Sequence, residues 1–230
     1  MTKHEITPAS GRLGVLLPGM GAVASTFIAG VMAARRGIHP PIGSVSQMAN
    51  IRLGSREENR NPLIRDFVSL AELDDLVFGG WDPISPNAME AAKTAGVLQG
   101  GDLEEVSKEL EGVVAMEAVF DEKWVSRLSG VRVKAIPNKW DQALALIDDI
   151  NRFREENDCD RLVMVWCGST EAYQEPSEVH ASVAAFEQGL KDNDPNIAPS
   201  QIYAYAALQC DVPFANGAPN LTTDLDCIVE

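Results

Sequence analysis

Gly19, Met20, Gly21, Ala22, Val23 and Ala24 make a G-x-G-x-x-A turn, a spacing in which small residues let a backbone close around an anion. Gly19 permits the tight bend, Gly21 leaves room for a pyrophosphate against the main chain, and Ala24 allows a helix to lie close on a strand. The chemistry such a turn serves is dinucleotide binding, with free amides at a helix start holding the phosphates. The same six residues also fit a glycine turn that merely needs space, so the flanking elements decide what the turn means.

Those elements are a strand before the turn and a helix after it. Leu13 to Leu17 is a short apolar run ending in Pro18-Gly19, and Ala22 to Arg36 carries apolar residues at helical spacing. Val23, Phe27, Val31 and Ala34 fall at intervals of three and four and predict the helix face that rests on a sheet. Arg35 and Arg36 suit the negative end of the helix dipole, and Gly37 can take the left-handed conformation that stops it. That role accounts for the arginine pair, although a cofactor bearing a 2′-phosphate is a second reading. Pro18 gives no ladder hydrogen bond and must sit where no donor is required.

Further polar groups close later apolar runs. Asp82 follows Leu76 to Trp81 and can accept two hydroxyl hydrogen bonds at the carboxyl edge of a sheet. It can equally cap the turn before Ser85-Pro86, which read as N-cap and first residue of a helix. Cys167, Gly168, Ser169 and Thr170 end the run Leu162 to Trp166, and Asn216 and Gly217 end Val212 to Ala215. An Asp or Glu is expected about 20 residues past the glycines to hold the ribose, but that stretch reads His39-Pro40-Pro41-Ile42-Gly43-Ser44. Either the ribose is held from elsewhere or the ligand is not a standard dinucleotide.

The runs alternate with helical patterns at Asp141 to Glu156, Glu178 to Leu190 and Pro199 to Leu208, and this alternation predicts an α/β, Rossmann-like parallel sheet covered by helices on both faces. In Asp141 to Glu156, Leu144, Ile147, Ile150 and Phe153 predict one apolar face. The arginine-rich stretch Ser44 to Arg65 reads as a loop with local helix, whose arginines pair with Glu57 and Glu58 or else hold a phosphate or a subunit neighbour. No internal repeat or linker divides the chain, so residues 1–230 read as one domain.

Composition bounds the partners. With 230 residues, 45% hydrophobic and 23% charged, the chain is ordinary globular material. Its formal charge of −15 repels nucleic acid and anionic membranes, yet a few aimed amides still bind a phosphorylated small molecule. Cys159, Cys167, Cys210 and Cys227 form no C-x-x-C pair, so no metal site is written and reduced thiols are expected. A polar start from Met1 to Ser10 and the lack of a long apolar run predict a soluble, cytoplasmic protein.

Taken together, Leu13 to Gly37, Pro41 to Pro62, Phe78-Gly79-Gly80-Trp81-Asp82 with Asn87 and Ala91, Val165 to Tyr173, and Phe214 to Asn220 resemble the bacterial type of myo-inositol-phosphate synthase (inositol-3-phosphate synthase). The resemblance runs through nearly the whole chain, and its Gly-Gly-Trp-Asp and Asn-Gly-Ala-Pro segments are far more specific than the glycine turn. It implies a domain that binds NAD and regenerates it in each turnover, while D-glucose 6-phosphate is oxidised, enolised, closed by an intramolecular aldol step and re-reduced to 1D-myo-inositol 3-phosphate. By position, Gly21, Ala22, Val23 and Ala24 would line the pyrophosphate, Asp82 the adenosine ribose, and Cys167, Gly168, Ser169 and Thr170 the nicotinamide side. Asn216 and Gly217 would also lie near the cofactor. Val23 and Ala24 stand where many relatives have asparagines, so backbone amides must serve.

The resemblance places the family's catalytic lysines after the segment matching Asn216 to Asn220 and beyond Glu230, partly in a catalytic and tetramerisation domain that this chain lacks. After Thr170 the only lysine is Lys191. The resemblance therefore implies a cofactor-binding portion without catalytic residues, belonging to a homotetramer when complete. Two other classes compete. A short-chain dehydrogenase needs Tyr-x-x-x-Lys, but Tyr173, Tyr203 and Tyr205 are followed four places on by Ser177, Ala207 and Gln209. A non-catalytic NAD-binding module would bind the cofactor without turnover.

Overall fold

The computed structural model describes residues 10–230; the polar start read above lies almost wholly outside them. Four parallel strands form one sheet in the order β2-β1-β3-β4: β1 (Arg12–Pro18), β2 (Leu76–Trp81), β3 (Cys159–Trp166) and β4 (Phe214–Asn216). The first two are short apolar runs because both of their faces are covered. Leu16 points into one buried cluster, while Val15 and Leu17 point into the other. The chain moves from β1 to β2 on one side and then to β3 and β4 on the other. A topological switch point therefore lies between β1 and β3, where ligands of open α/β sheets bind beyond the carboxyl ends.

One layer of helices contains α1 (Ala22–Arg35), α4 (Ala88–Ala95), α5 (Gly100–Glu105) and α6 (Ser107–Gly112); between α1 and β2 lie the short α2 (Val45–Met48) and α3 (Ile64–Phe67). The opposite layer contains α7 (Lys139–Glu156), α8 (Val183–Lys191) and α9 (Pro199–Gln209), with α10 (Asp226–Val229) at the end. Phe153 of α7 lies flat on the sheet because Gly14 and Gly79 offer no side chain there: a Cβ would come within 2.8 Å of its ring at Gly14 and 2.3 Å at Gly79.

The sheet-facing side of α1 keeps the expected Val31 but differs from the expected one at Val23 and Phe27. Ala24, Ile28 and Val31 are buried, whereas Val23 is 66% exposed and Phe27 44% exposed. Alanine, valine and isoleucine occur all round this helix, so hydrophobicity alone does not select a face; the small Ala24 can approach the strand and Val23 cannot. In α7, likewise, Ala143, Leu146 and Ile150 are buried and Leu144 is largely exposed. Helix α4 starts at Ala88, capped by the Asn87 side chain accepting from Glu90 N at 2.9 Å, and not at Ser85-Pro86. Ser85 N is taken by Asp82 and Pro86 O by Ala115 N, which holds both residues outside the helix.

Arg35 fastens the long crossing from α1 to β2, donating to Leu73 O at 2.7 Å and to Leu76 O. Within that crossing, isolated antiparallel bridges join Asn50 to Leu63 and Leu53 to Arg60. Arg60 pairs with Glu58 at 3.5 Å and Arg65 with Asp66 at 3.8 Å.

Beneath the sheet edge, buried Asp149 of α7 accepts from Trp81 Nε1 at 2.8 Å and pairs with Lys134 Nζ at 2.7 Å and Arg152 at 2.5 Å. Removing the carboxylate would leave a nearly buried ammonium and a buried indole N–H without their partner. Asp149→Ala should lower the unfolding free energy by about 3 kcal/mol, measured by urea denaturation; a loss below about 1 kcal/mol would show that Lys134 and Trp81 are solvated after all.

Candidate functional site

The site begins with a backbone contact. Gly19 has φ +81°, and a Cβ there would sit 2.3 Å from Gly168 Cα, so the glycine bend is seated directly on the tip of β3. Gly19 N donates to Trp81 O at 2.8 Å and Cys167 N to Pro18 O at 2.9 Å, which ties the tips of β2, β1 and β3 side by side. Gly217 N continues the row by donating to Trp166 O at 3.0 Å. Pro18 thus serves β3 through its carbonyl.

Above these tips opens a cleft of about 370 Å³. Gly19, Gly21, Ala22, Val23, Asp82, Cys167, Gly168 and Ser169 line it together. The bend and the tips bearing Asp82 and Ser169 therefore face one space. Met20 and Ala24 are fully buried behind the turn. Thr170, Asn216 and Gly217 do not line the cleft. Asn216 instead holds the β4 turn, its Nδ2 donating to Asn220 O at 2.9 Å and its Oδ1 accepting from Ala218 N at 3.2 Å. Glu230, the residue past which the resemblance puts the catalytic lysines, is likewise not among the cleft residues. It follows α10, and its Oε2 accepts from Val183 N at 3.1 Å, so its carboxylate serves the start of α8 and has no part in the site.

A dinucleotide fits the groups present. Gly21 caps α1 without any side-chain hydrogen bond, and a Cβ placed on it would meet nothing within 4 Å. Among the described residues, the first hydrogen bond back into the turn is Ser25 N to Gly21 O, so the amides of Ala22, Val23 and Ala24 remain unpaired at the positive end of a 14-residue helix. Such a terminus holds phosphate without a lysine or arginine. Arg35 and Arg36 lie at the other end of that helix, on the order of 20 Å away at 1.5 Å per residue, too far to reach a ribose at the glycine turn.

Asp82 combines both of its sequence readings. Its Oδ1 accepts from Ile84 N at 2.8 Å and Ser85 N at 2.6 Å, while no hydrogen bond reaches Oδ2 from the described residues. One oxygen orders the turn and the residue still faces the cleft. The structure also explains the missing acid: residues 38–75 lengthen the crossing between α1 and β2, so the end of the second strand falls at Asp82 and not about 20 residues after the glycines.

Other parts of the cleft had little signal in sequence. Ile84, Val119, Phe120, Val125 and Leu128 give it apolar walls, and several come from an irregular stretch whose Met116 and Ala118 make single-residue bridges, to Trp81 of β2 and to Val133. Trp166 and Tyr203 pack edge to face at 5.6 Å beneath it. Burial raises the Cys167 thiol and the Tyr203 phenol above their ordinary ranges, so both stay protonated near neutrality.

Glu171, one residue past the polar β3 tip, was missed. It is 7% exposed and lines the cleft. Its Oε1 accepts from Ser200 N at 2.9 Å, and its Oε2 accepts from Ser200 Oγ at 2.5 Å and Asn220 Nδ2 at 3.3 Å. Glu171 N donates to Asn220 Oδ1 at 2.9 Å. The carboxylate thus joins the β3 tip, the β4 turn and the first turn of α9. Burial pushes it up to about 7, against the downward pull of the two Ser200 hydrogen bonds.

These features define a Rossmann-like α/β domain with a cleft at its switch point. The family model of myo-inositol-1-phosphate synthase, NAD-binding domain, matches residues 13–230, and the chain belongs to that family. It is 47% identical to inositol-3-phosphate synthase 1 of Bacteroides thetaiotaomicron over 230 residues, covering 99% of this chain and 53% of the relative. It is 32% identical to inositol-3-phosphate synthase of Citrus paradisi, covering 92% of this chain and 45% of the relative. A crystal structure of inositol-3-phosphate synthase from Caenorhabditis elegans shares the fold with a TM-score of 0.84 at 22% identity, over 93% of this chain and 45% of that one. The chain spans about half the length of the curated relatives it matches.

Two outcomes test this geometry. Gly19→Ala should cost about 2 kcal/mol or more, since a side chain there is both left-handed and in collision with Gly168; a thermal melt unchanged from wild type would mean the contact is loose. For Glu171, the folded carboxyl holds its proton more tightly than the unfolded one, so its contribution to stability is full below the unfolded value of 4.5 and is lost as pH rises through about 7. Glu171→Gln removes that dependence. The stability of the variant relative to wild type should therefore rise by about 2 kcal/mol between pH 5 and pH 8 in paired denaturation curves.

Proposed function

We propose that this chain is the NAD-holding portion of an inositol-3-phosphate synthase, which converts D-glucose 6-phosphate to 1D-myo-inositol 3-phosphate by oxidation, enolisation, intramolecular aldol closure and re-reduction. The observation that carries the reading is the glycine bend seated on the β3 tip, with unpaired helix amides and Asp82 facing the same cleft. Gly21, Ala22 and Val23 receive the pyrophosphate through their backbone, with Met20 and Ala24 setting the turn from behind. Asp82 takes the adenosine ribose. Cys167, Gly168 and Ser169 form the nicotinamide side, while Thr170 lies off the cleft and Asn216 and Gly217 hold the neighbouring tip. NAD supplies hydride acceptance and return at that side.

The aldol step needs a cation or acid beside the developing oxyanion. No lysine, arginine or histidine is among the described residues lining the cleft. We assign that chemistry to the half of the relatives that this chain does not match, and propose that the complete enzyme is a cytoplasmic homotetramer. The same absence favours the second reading, a chain that binds cofactor without turning substrate over, for the 230 residues taken alone.

Calorimetric titration with NAD, alongside an assay for inositol phosphate from glucose 6-phosphate, separates these statements. The 230-residue chain should bind NAD and form no product; product formation would sink the claim that the catalytic groups lie elsewhere. Gly21→Ala should melt within about 1 kcal/mol of wild type yet bind NAD about tenfold more weakly, because its methyl occupies the space the pyrophosphate needs. Unimpaired binding would move the phosphate site away from this turn.

A further inference from the structure

Glu171 is an ionisable group on the wall of the cleft for which the proposed cofactor roles have no use. It lies where the β3 tip turns down toward α9. The dinucleotide reading puts the pyrophosphate at the start of α1 and the adenosine ribose at the β2 tip, so the remaining half of the molecule extends toward β3, the side that Glu171 occupies. Within the cleft the other ionisable side chains are Asp82, Cys167 and Tyr203; a second, water-sized chamber also lined by Glu171 has Tyr173 and His180 on its walls. None of the cleft groups is cationic, and no salt bridge reaches Glu171 among the described residues.

We propose that Glu171 is a charge-sensing positioning residue, whose hydrogen-bonded carboxylate, without a salt bridge among the described residues, favours the oxidised cofactor over the reduced one on the nicotinamide side of the cleft. This rests on the cofactor placement proposed above. The nicotinamide ring is positive when oxidised and neutral when reduced, while the rest of the molecule keeps its charge. A carboxylate shielded from water discriminates between two such ligands, because Coulomb interactions in a poorly solvated site are weakly screened.

The hydrogen bonds let the proton come and go without breaking the site. Ser200 N and Asn220 Nδ2 are obligate donors and can serve the carboxylate in either state. Ser200 Oγ also lies 2.7 Å from Thr222 Oγ1. With Glu171 ionised, Thr222 donates to Ser200 and Ser200 to Glu171; with Glu171 protonated, both hydroxyls turn and the chain runs the other way. The first-turn amide of α9 supports the anion, burial opposes it, and the two effects meet near neutrality. Linkage then requires reciprocity: the oxidised cofactor draws the proton off Glu171, and the reduced cofactor lets it return.

The test is the affinity of the 230-residue chain for NAD+ and for NADH, measured by calorimetry at pH 5.5, 7.0 and 8.5. In wild type the preference for NAD+ should grow about tenfold from the lowest to the highest pH. In Glu171→Gln it should stay flat. Ser200→Ala, which removes one donor to the carboxylate, should move the midpoint of the swing to higher pH. A wild-type preference that ignores pH overturns the proposal, as does a swing that survives in Glu171→Gln, which would assign it to His180 or Asp82. Failure of both nucleotides to bind at every pH would instead refute the cofactor placement beneath it.

Discussion

The contact between the Gly19 bend and the backbone of Gly168 is the constraint from which the rest of the site follows. The two main chains can meet there only because Gly19 lacks a side chain, while a Cβ on Gly168 would instead meet the Trp166 indole at 2.8 Å. Because they meet, the carbonyl of Pro18 reaches Cys167 N and the amide of Gly19 reaches Trp81 O, so three strands end level. Helix α1 must then leave the turn with its unpaired amides over the switch point. A bulkier residue at Gly19 would tilt the turn off β3, and the cleft would lose the wall that carries the unpaired α1 amides.

This constraint lets a chain of charge −15 hold an anionic cofactor. Long-range repulsion is screened within about 8 Å at physiological ionic strength, while unpaired amides such as those of Ala22 and Val23 would act on a phosphate at contact distance. Cations are not required at the phosphate turn, and the arginines near it in sequence serve the scaffold. Arg35 secures the carbonyls that lead into β2, at the far end of α1. Acidic groups can therefore occupy the cleft itself, where Asp82 accepts hydrogen bonds and Glu171 carries charge.

Legibility in the sequence tracked how local the cause was. β1 and β2 showed as short apolar runs, because burial on both faces leaves a contiguous signal. The glycine turn showed because its cause is local, with Gly19 set by the close approach to Gly168 and Ala24 by its burial. The rotation of α1 did not: a helix apolar on every side has no preferred face until a particular strand approaches, and what chose Ala24 over Val23 was side-chain size against that strand. The start of α4 was misplaced for a similar reason, since Ser85 is claimed by Asp82 and Pro86 by Ala115, a residue well down the chain. The apolar wall around Val119 and Phe120 had no periodic signature, because single-residue bridges have none.

Glu171 marks the point where local reading stops. Nothing in Gly168-Ser169-Thr170-Glu171-Ala172 distinguishes its acid from a solvated loop residue, because its partners Ser200 and Asn220 stand 29 and 49 positions away. Only the fold brings the α9 terminus and the β4 turn together beneath the β3 tip. Structural economy alone does not explain an ionisable group there, since a neutral hydrogen-bonding residue would join the same elements without a carboxylate to desolvate. The carboxylate weakens the fold as it ionises, and it lines the cleft in which the unpaired α1 amides and Asp82 also stand. A charge kept at that expense, on the wall of that cleft, is better explained by what the cleft would hold than by the scaffold it joins.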